Sequence, residues 1–287
     1  MSNIAVIFNQ KAKNASLISQ YLEHFSQHHI DYTSFETRPD KLKTIIKHCQ
    51  KDYSLLLIGG GDGTVRTAAE LCCHSSFKLG IIPLGTMNHF VKELSLPTNP
   101  DELTHALKQM STIAIDLSEV NQRIFVNNAS IGFYPRFAYH RNHYHKFYNK
   151  WLSYLPGFIQ ACKFNRPLNI EIKNQDLNLS LATSFFMISN NMYSYQFPIA
   201  FRRENFNEGL LGIYVYKYKK LPLKNMIHAL FNPKKNFTIK QSSHPIEVHI
   251  KNKKNIDVAL DGEIIKMKTP LLFKSLPNAL TLLTGSQ

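Results

Sequence analysis

The 287-residue chain reads as an α/β half followed by an antiparallel β half. Three observations predict this. Up to about residue 118, short apolar runs alternate with segments of helical period. Beyond it, the runs are rich in Val, Ile and Tyr and follow one another closely. Six of the 12 glycines lie between Gly59 and Gly85, at the junctions of the alternating elements. Strands alternating with helices of 10–14 residues imply βαβ units and a parallel sheet.

In the first half, Ile4–Phe8 is a buried-strand run. Ala15–His28 carries Leu17, Ile18, Tyr21, Leu22 and Phe25 at a 3.6-residue period, which predicts a helix. Asp31–Phe35 is the second strand, and Asp40–Cys49 a helix with Leu42, Ile45 and Ile46 on one face. Ser54–Ile58 is a strand, Thr64–Cys73 a helix and Leu79–Ile82 a strand closed by Pro83. Asp101–Met110 is a helix, with Asn99 placed to cap it and Pro100 in its first turn.

In the second half the strand candidates are Arg123–Asn127, Leu168–Ile172, Leu177–Leu181, Phe185–Ile188, Gly212–Tyr218, Phe237–Lys240, Ile246–Ile250, Ile256–Leu260 and Leu271–Phe273. Helical breaks fall at Pro135–Cys162 and Leu223–Phe231, and the domain boundary lies near Asp116–Glu119.

Hydrophobic residues make up 44% of the chain and charged ones 19%, enough apolar material for a core. The four cysteines have neither CxxC nor metal spacing, which argues against a disulfide framework and for a reducing compartment. The N-terminus reads as a strand rather than a signal peptide, and no apolar run approaches the roughly 20 residues of a membrane span. With 34 Lys+Arg against 20 Asp+Glu the net charge is +14, so an anionic partner is expected.

Gly59-Gly60-Gly61-Asp62-Gly63-Thr64 stands directly after a strand and before a helix. Small residues there let backbone N–H groups approach a phosphate, and the helix start adds partial positive charge. Asp62 could orient hydrated Mg²⁺, and Thr64 could donate to a phosphate or cap the helix. Neither a P-loop nor GxGxxG fits. A ligand-free tight turn is the alternative. Pro83-Leu-Gly-Thr-Met-Asn-His89 ends the next strand, and loops at neighbouring carboxyl ends of a parallel sheet line one crevice.

Gly60-Gly-Asp-Gly-Thr64 followed by Pro83-Leu-Gly-Thr-x-Asn88 resembles the diacylglycerol kinase catalytic-domain family, which includes bacterial lipid kinases and the sphingosine and ceramide kinases. The likeness continues through Ile115-Asp116-Leu117, Asn127-Asn128-Ala-Ser-Ile-Gly132, Asn190-Asn191, Glu208-Gly209-Leu210 and Asp261-Gly262-Glu263, spanning nearly the whole chain. The glycine motif is shared with NAD kinases.

The resemblance implies an α/β nucleotide-binding domain over 1–118 and a β-sandwich lipid-binding domain over 119–287, the last strand being free to return to the first domain. It implies ATP contacts at Asn9, Thr37, Gly60, Gly61, Asp62, Gly63, Thr64, Val65, Arg66 and Thr86. Asp62 and Asp116 would join a water-mediated Mg²⁺ network. Asn205, Glu208 and Leu210 would form a structural metal site. Asp261 and Glu263 are general-base candidates, Glu263 being favoured.

This chain departs from the family pattern at Met87-Asn88-His89, where many members have Gly-Asn-Asp. It departs again at Asn9-Gln10-Lys11-Ala12-Lys13, where Asn-Pro-x-x-Gly is usual, and at Glu208 and Gly212, where Asp is common. Asp261-Gly262 is also a type I′ hairpin signature, and a turn can present Glu263 at the same time.

No acidic residue lies between Glu119 and Glu171, a stretch holding seven Lys/Arg, the single Trp151 and many Tyr and Phe. Residues 133–158 are therefore the expected contact with an anionic membrane surface, against the alternative of a solvated basic face over core aromatics. Lys217–Lys254 carries ten Lys against Glu247 alone and reads first as a solvated face. Nucleic acid is not expected, since no recognition motif is present. The expected partners are a lipid substrate and that membrane surface, with homodimerisation open. The expected location is cytoplasmic and peripherally membrane-associated. The leading function is ATP- and Mg²⁺-dependent lipid phosphorylation. An NAD kinase-like enzyme and a non-catalytic membrane- or nucleotide-binding module are the alternatives.

Overall fold

The computed structural model describes residues 4–144, 160, 166–196, 200–217 and 233–285. The chain divides into two compact units, Met1–Leu117 with Pro277–Gln287, and Ser118–Leu276.

The first unit is built from strands β1 (Ile4–Asn9), β2 (Thr33–Thr37), β3 (Leu55–Gly60) and β4 (Lys78–Pro83), with helices α1 (Ile18–Gln27), α2 (Leu42–Cys49), α3 (Asp62–Cys72), α4 (His89–Glu93) and α5 (Pro100–Gln109). β5 (Thr112–Val120) then leads out of it. The sheet order is β2-β1-β3-β4, all parallel. Every residue of β3 is buried, as expected of a central strand covered on both faces. Ile18, Tyr21 and Phe25 form the buried stripe of α1 and share a core with Val6, Leu55, Leu57, Leu103 and Leu107. The Tyr21 hydroxyl donates to Thr98 O at 2.9 Å, and burial, helped by the Glu102 charge, pushes its pKa up to about 12.

Asn99 caps α5: its Oδ1 accepts from Glu102 N–H at 2.9 Å, with Pro100 in the first turn. Glu102 reaches back to accept from Thr98 N–H at 2.7 Å, and these bonds hold its carboxyl below the usual range. Asn99→Ala should cost about 1 kcal/mol, read as a lowered urea midpoint.

Cys49 and Cys72 are buried free thiols, raised by desolvation to about 11 and about 12. Thiolate is the reactive form. Both should therefore stay unmodified when the native protein is treated with iodoacetamide at neutral pH, as peptide mapping by mass spectrometry would register.

The second unit continues with β6 (Arg123–Phe125), β7 (Asn128–Gly132), α6 (Phe133–Tyr144), β8 (Leu168–Lys173), β9 (Asn178–Thr183), β10 (Phe185–Asn190), β11 (Tyr193–Gln196), β12 (Ala200–Arg203) and β13 (Leu211–Tyr216). After a short helix at Pro233–Asn236 come β14 (Phe237–Ser242), β15 (Ile246–Ile250), β16 (Asn255–Leu260), β17 (Glu263–Lys268) and β18 (Leu271–Leu283). One layer runs β14-β13-β10-β7-β16-β17, antiparallel throughout. The other pairs β9, β8, β15 and the start of β18. Inward residues of both layers, among them Ile131, Phe186, Ile213, Val258, Ile170, Val248 and Phe273, form one core. This is a β-sandwich. The end of β18 instead pairs parallel to β4 within the first unit, Thr281 opposite Lys78.

Several expectations need correction. The helix after the glycine loop starts at Asp62 rather than Thr64. The strand candidate Arg123–Asn127 ends at Phe125 as β6, with β7 starting beyond it at Asn128, and β18 runs ten residues past Phe273. β5 has no counterpart among the sequence-based strands, because its inward positions include Asp116 and Ser118, both fully buried. Alternation of apolar and polar residues is thereby masked. The expected break Leu223–Phe231, and residues 145–158 of the expected membrane-facing segment, lie outside the described residues. Within the described part of that segment Phe133 is buried, a core aromatic, whereas Tyr139 is 64% exposed. Among the described residues no helix is long and apolar enough to cross a membrane.

Candidate functional site

In the first unit the loop after β3 and the loop after β4 are packed backbone to backbone. A Cβ on Gly85 would stand 2.5 Å from both Gly61 Cα and Asn88 Oδ1, and a Cβ on Gly60 would stand 2.5 Å from Thr64 Oγ1. Glycine is required here by close approach rather than by dihedral angle. Leu84 N–H donates to Gly60 O at 3.0 Å, which fastens the two loops together.

Asn88, in the left-handed region at φ 49°, organises the second loop. Its Oδ1 accepts from Gly85 N–H at 3.0 Å, and its Nδ2 donates to Gly85 O at 3.2 Å and Pro83 O at 3.3 Å. Asn14 adds a donor from the loop after β1, Nδ2 to Gly85 O at 3.1 Å. Thr86 and Met87 are left exposed at the tip.

The cap residue of α3 is Gly61, which has no side chain to bond the first-turn N–H groups. Thr64, a candidate cap from the sequence, is instead buried, and its N–H donates to Gly61 O at 2.9 Å. Asp62 is half-buried in the first turn, and its Oδ1 accepts from Phe90 N–H at 3.4 Å, a loose contact. Val65 and Arg66 are buried and Gly63 is exposed. Asn9 Oδ1 accepts from Lys11 N–H at 2.9 Å, and Gln10 N–H donates to the carbonyl of buried Thr37 at 3.0 Å, joining the ends of β1 and β2. Lys11 therefore stands in an Asx turn where a proline turn is the family norm.

Asp116 is fully buried, and its Oδ1 accepts from Asn278 N–H at 2.8 Å. It anchors the left-handed kink at Asn278 in β18. Of the two carboxylates assigned to hydrated Mg²⁺, Asp62 is the one whose exposure and loose hydrogen bonding suit that ion.

In the second unit the polar motifs scattered along the sequence converge on one network. Asp261 accepts from three consecutive backbone amides, Val126 at 2.9 Å, Asn127 at 2.8 Å and Asn128 at 3.1 Å, and its own N–H donates to Asn128 O. With φ of 47° at Asp261 and 88° at Gly262, and Leu260 paired to Glu263, the turn is the two-residue type I′ form. Asp261 is thus committed to holding the hairpin, while Glu263, two residues on, is exposed.

The other side of the same segment is held by Arg203, 1% exposed. Its guanidinium donates to Val126 O at 2.7 Å, Asn190 O at 3.1 Å and Asn127 Oδ1 at 2.6 Å, and lies over Phe206, 5.0 Å from the ring centre. Ser118 Oγ and Asn190 Nδ2 complete the network, bonding Asn190 Oδ1 at 2.9 Å and Val126 O at 3.1 Å.

All three residues of the candidate metal trio take part in hydrogen bonds. Glu208 Oε1 accepts from Asn205 Nδ2 at 2.7 Å, and Leu210 O accepts from Asn191 N–H at 2.9 Å. Among the described residues no group of three or more His, Cys, Asp or Glu could hold a metal ion.

Residues 3–120 match the family model described as the diacylglycerol kinase catalytic domain. The first unit belongs to the diacylglycerol kinase catalytic-domain family. Relatives extend the likeness into the second unit. A Staphylococcus aureus (strain bovine RF122 / ET3-1) protein named "Putative lipid kinase" is 26% identical over 257 residues, covering 84% of this chain and 83% of its own. A Serratia proteamaculans (strain 568) protein named "Probable lipid kinase YegS-like" is 27% identical over 247 residues, covering 84% and 80%. Two Bacillus anthracis str. Sterne crystal structures share the fold. One, of a "putative diacylglycerol kinase", has TM-score 0.77 at 20% identity over 99% of this chain and 98% of that one. The other, of a diacylglycerol kinase, has TM-score 0.72 at 16% identity over 99% and 97%.

Within this diacylglycerol kinase-type unit, the structure brings Gly60–Arg66 and Thr86 together on two joined loops, and ties Asn9 to Thr37 on the two neighbouring strand ends. Asn14 and Asn88 build the loops without having been singled out by the sequence, although Asn88 stands in the quoted motif. Arg203 carries no sequence signal, since an Arg-Arg pair reads as surface charge.

Proposed function

We propose that the chain is an ATP- and Mg²⁺-dependent lipid kinase that phosphorylates a hydroxyl of a diacylglycerol- or sphingoid-like lipid. The observation carrying this reading is the paired loop of Gly60–Thr64 and Gly85–Asn88, packed so closely that a Cβ on Gly60 or Gly85 would clash, beside a helix start without a side-chain cap. Such a loop offers phosphate oxygens backbone N–H groups and the positive end of α3. The names of the relatives supply the lipid.

In this reading Asn9, Thr37 and Thr86 orient the nucleotide. Asp62 holds Mg²⁺ through water, and that ion would neutralise charge on the transferring phosphoryl group. Glu263 is exposed, whereas three amides occupy Asp261, so Glu263 accepts the proton of the attacking hydroxyl. Residues 133–158 bring the protein to an anionic membrane surface.

The test is a labelled-ATP assay offering NAD and a membrane-lipid extract together. Label in a lipid phosphate is the expected product. Label in NADP would establish the NAD kinase alternative, and vesicle and nucleotide binding without any labelled product would leave a non-catalytic module.

A further inference from the structure

Positive charge gathers around one concave place in the sandwich unit. A cavity of about 120 Å³ opens between the start of α6 and the strands β16 and β17. That is well above the roughly 10–15 Å³ that one water needs. Its lining includes the buried Leu168 and Ile256 and three cations, Arg136, Lys253 and Lys266. Asp257 is the single acid in the lining.

The charges around this cavity are crowded and unbalanced. Arg136 is half-buried, and burial, together with the guanidinium of Arg166, draws its pKa below the ordinary arginine value, with Asp257 opposing. Arg136 Nη1 lies 3.5 Å from the carbonyl of Arg166, so the two residues are neighbours. Lys266 sits directly across from Asp257 in the β16–β17 ladder, yet among the described residues neither Lys253 nor Lys266 forms an ion pair. Three cations against one carboxylate in the lining of a concave space, with the charge of Arg166 acting on Arg136 as well, favour the entry of an anion. A planar guanidinium and two mobile ammonium groups suit an anion with several oxygens in tetrahedral array.

We infer that this cavity binds a phosphate group, as a phosphomonoester or phosphodiester, at a site lined by residues of the second unit. The inference does not depend on the lipid kinase reading. The phosphate can be that of a phospholipid headgroup or of a small soluble ion, and the experiment has an arm for each.

The full chain and its Lys253→Gln/Lys266→Gln double variant are compared. Both lysines are exposed, so the variant is expected to fold with an unchanged unfolding midpoint in chloride. In the first arm, inorganic phosphate and glycerol 3-phosphate are titrated by calorimetry against chloride at matched ionic strength. In the second, flotation is measured with phosphatidylglycerol-containing and with pure phosphatidylcholine vesicles. Affinity for the phosphate probe or for phosphatidylglycerol vesicles should fall about tenfold in the double variant, the effect of removing two partly screened charge contacts. A fall confined to the soluble probes identifies a free phosphate site, and a fall confined to vesicles a headgroup site. If neither arm distinguishes the variant from wild type, any phosphate bound lies elsewhere and the inference is overturned. Since neither arm measures kinase activity, absence of lipid phosphorylation would leave this result standing.

Discussion

Gly85→Ala should unfold the paired loop and abolish nucleotide binding. The added methyl group would stand 2.5 Å from Gly61 Cα and from Asn88 Oδ1, and the first of these is backbone that cannot rotate away. Relief requires the two loops to part, which breaks the Asn88 bonds to Gly85 and the Leu84-to-Gly60 link. Overpacking of this kind costs about 1–3 kcal/mol, and the orphaned amide groups of Asn88 add to it. Thr86→Ala is the control: exposed at the same tip, it should leave the unfolding midpoint within about 0.5 kcal/mol of wild type. Denaturation and binding of a fluorescent ATP analogue, run on both variants, separate loop architecture from ligand contact. Native stability and native affinity in the Gly85→Ala variant would remove the structural basis proposed for the nucleotide site.

The two acids of Asp261-Gly262-Glu263 should respond in opposite ways. Asp261→Ala leaves three amide donors of residues 126–128 without their carboxylate, and hydrogen bonds to a charged group contribute about 1.5–3 kcal/mol each before coupling among them is counted. A loss of about 3 kcal/mol in stability is expected, with lost activity as its consequence. Glu263→Gln should fold as wild type does and lower turnover by about 10²–10⁴, the range for a proton-transfer group, while ATP affinity stays nearly constant. The pair of measurements is urea denaturation and lipid phosphorylation rate. Full turnover in the Glu263→Gln variant would end the assignment of Glu263 as proton acceptor.

Much of this is legible in the chain itself, and the reasons are specific. The βαβ rhythm is readable because Ile4–Phe8 and Leu55–Ile58 are wholly apolar and the intervening helices keep a 3.6 period. The hairpin at Asp261-Gly262 is readable because only a few residue pairs tolerate two positive φ values. What stays hidden is polar and buried. β5 carries Asp116 and Ser118 inward, so its pattern mimics a loop. β18 contains Pro277 and the left-handed Asn278, both of which signal an end to a strand that nevertheless continues. The site shows the same limit. Asp261 is a base candidate through the family resemblance, and only the three amides pointing at it disclose a fastening role. Arg203 is invisible because nothing in the sequence distinguishes a guanidinium that gathers carbonyls from one that faces water.

Residues 277–287 close the first unit's sheet through Thr281 and Leu282, although the whole of the other unit precedes them in the chain. A ribosome delivers the chain from its N-terminus, so β4 waits with an open edge throughout synthesis of the sandwich. The unit that carries the glycine loops is thus begun before the sandwich, and the open edge of its β4 gains a partner only after the sandwich has been made.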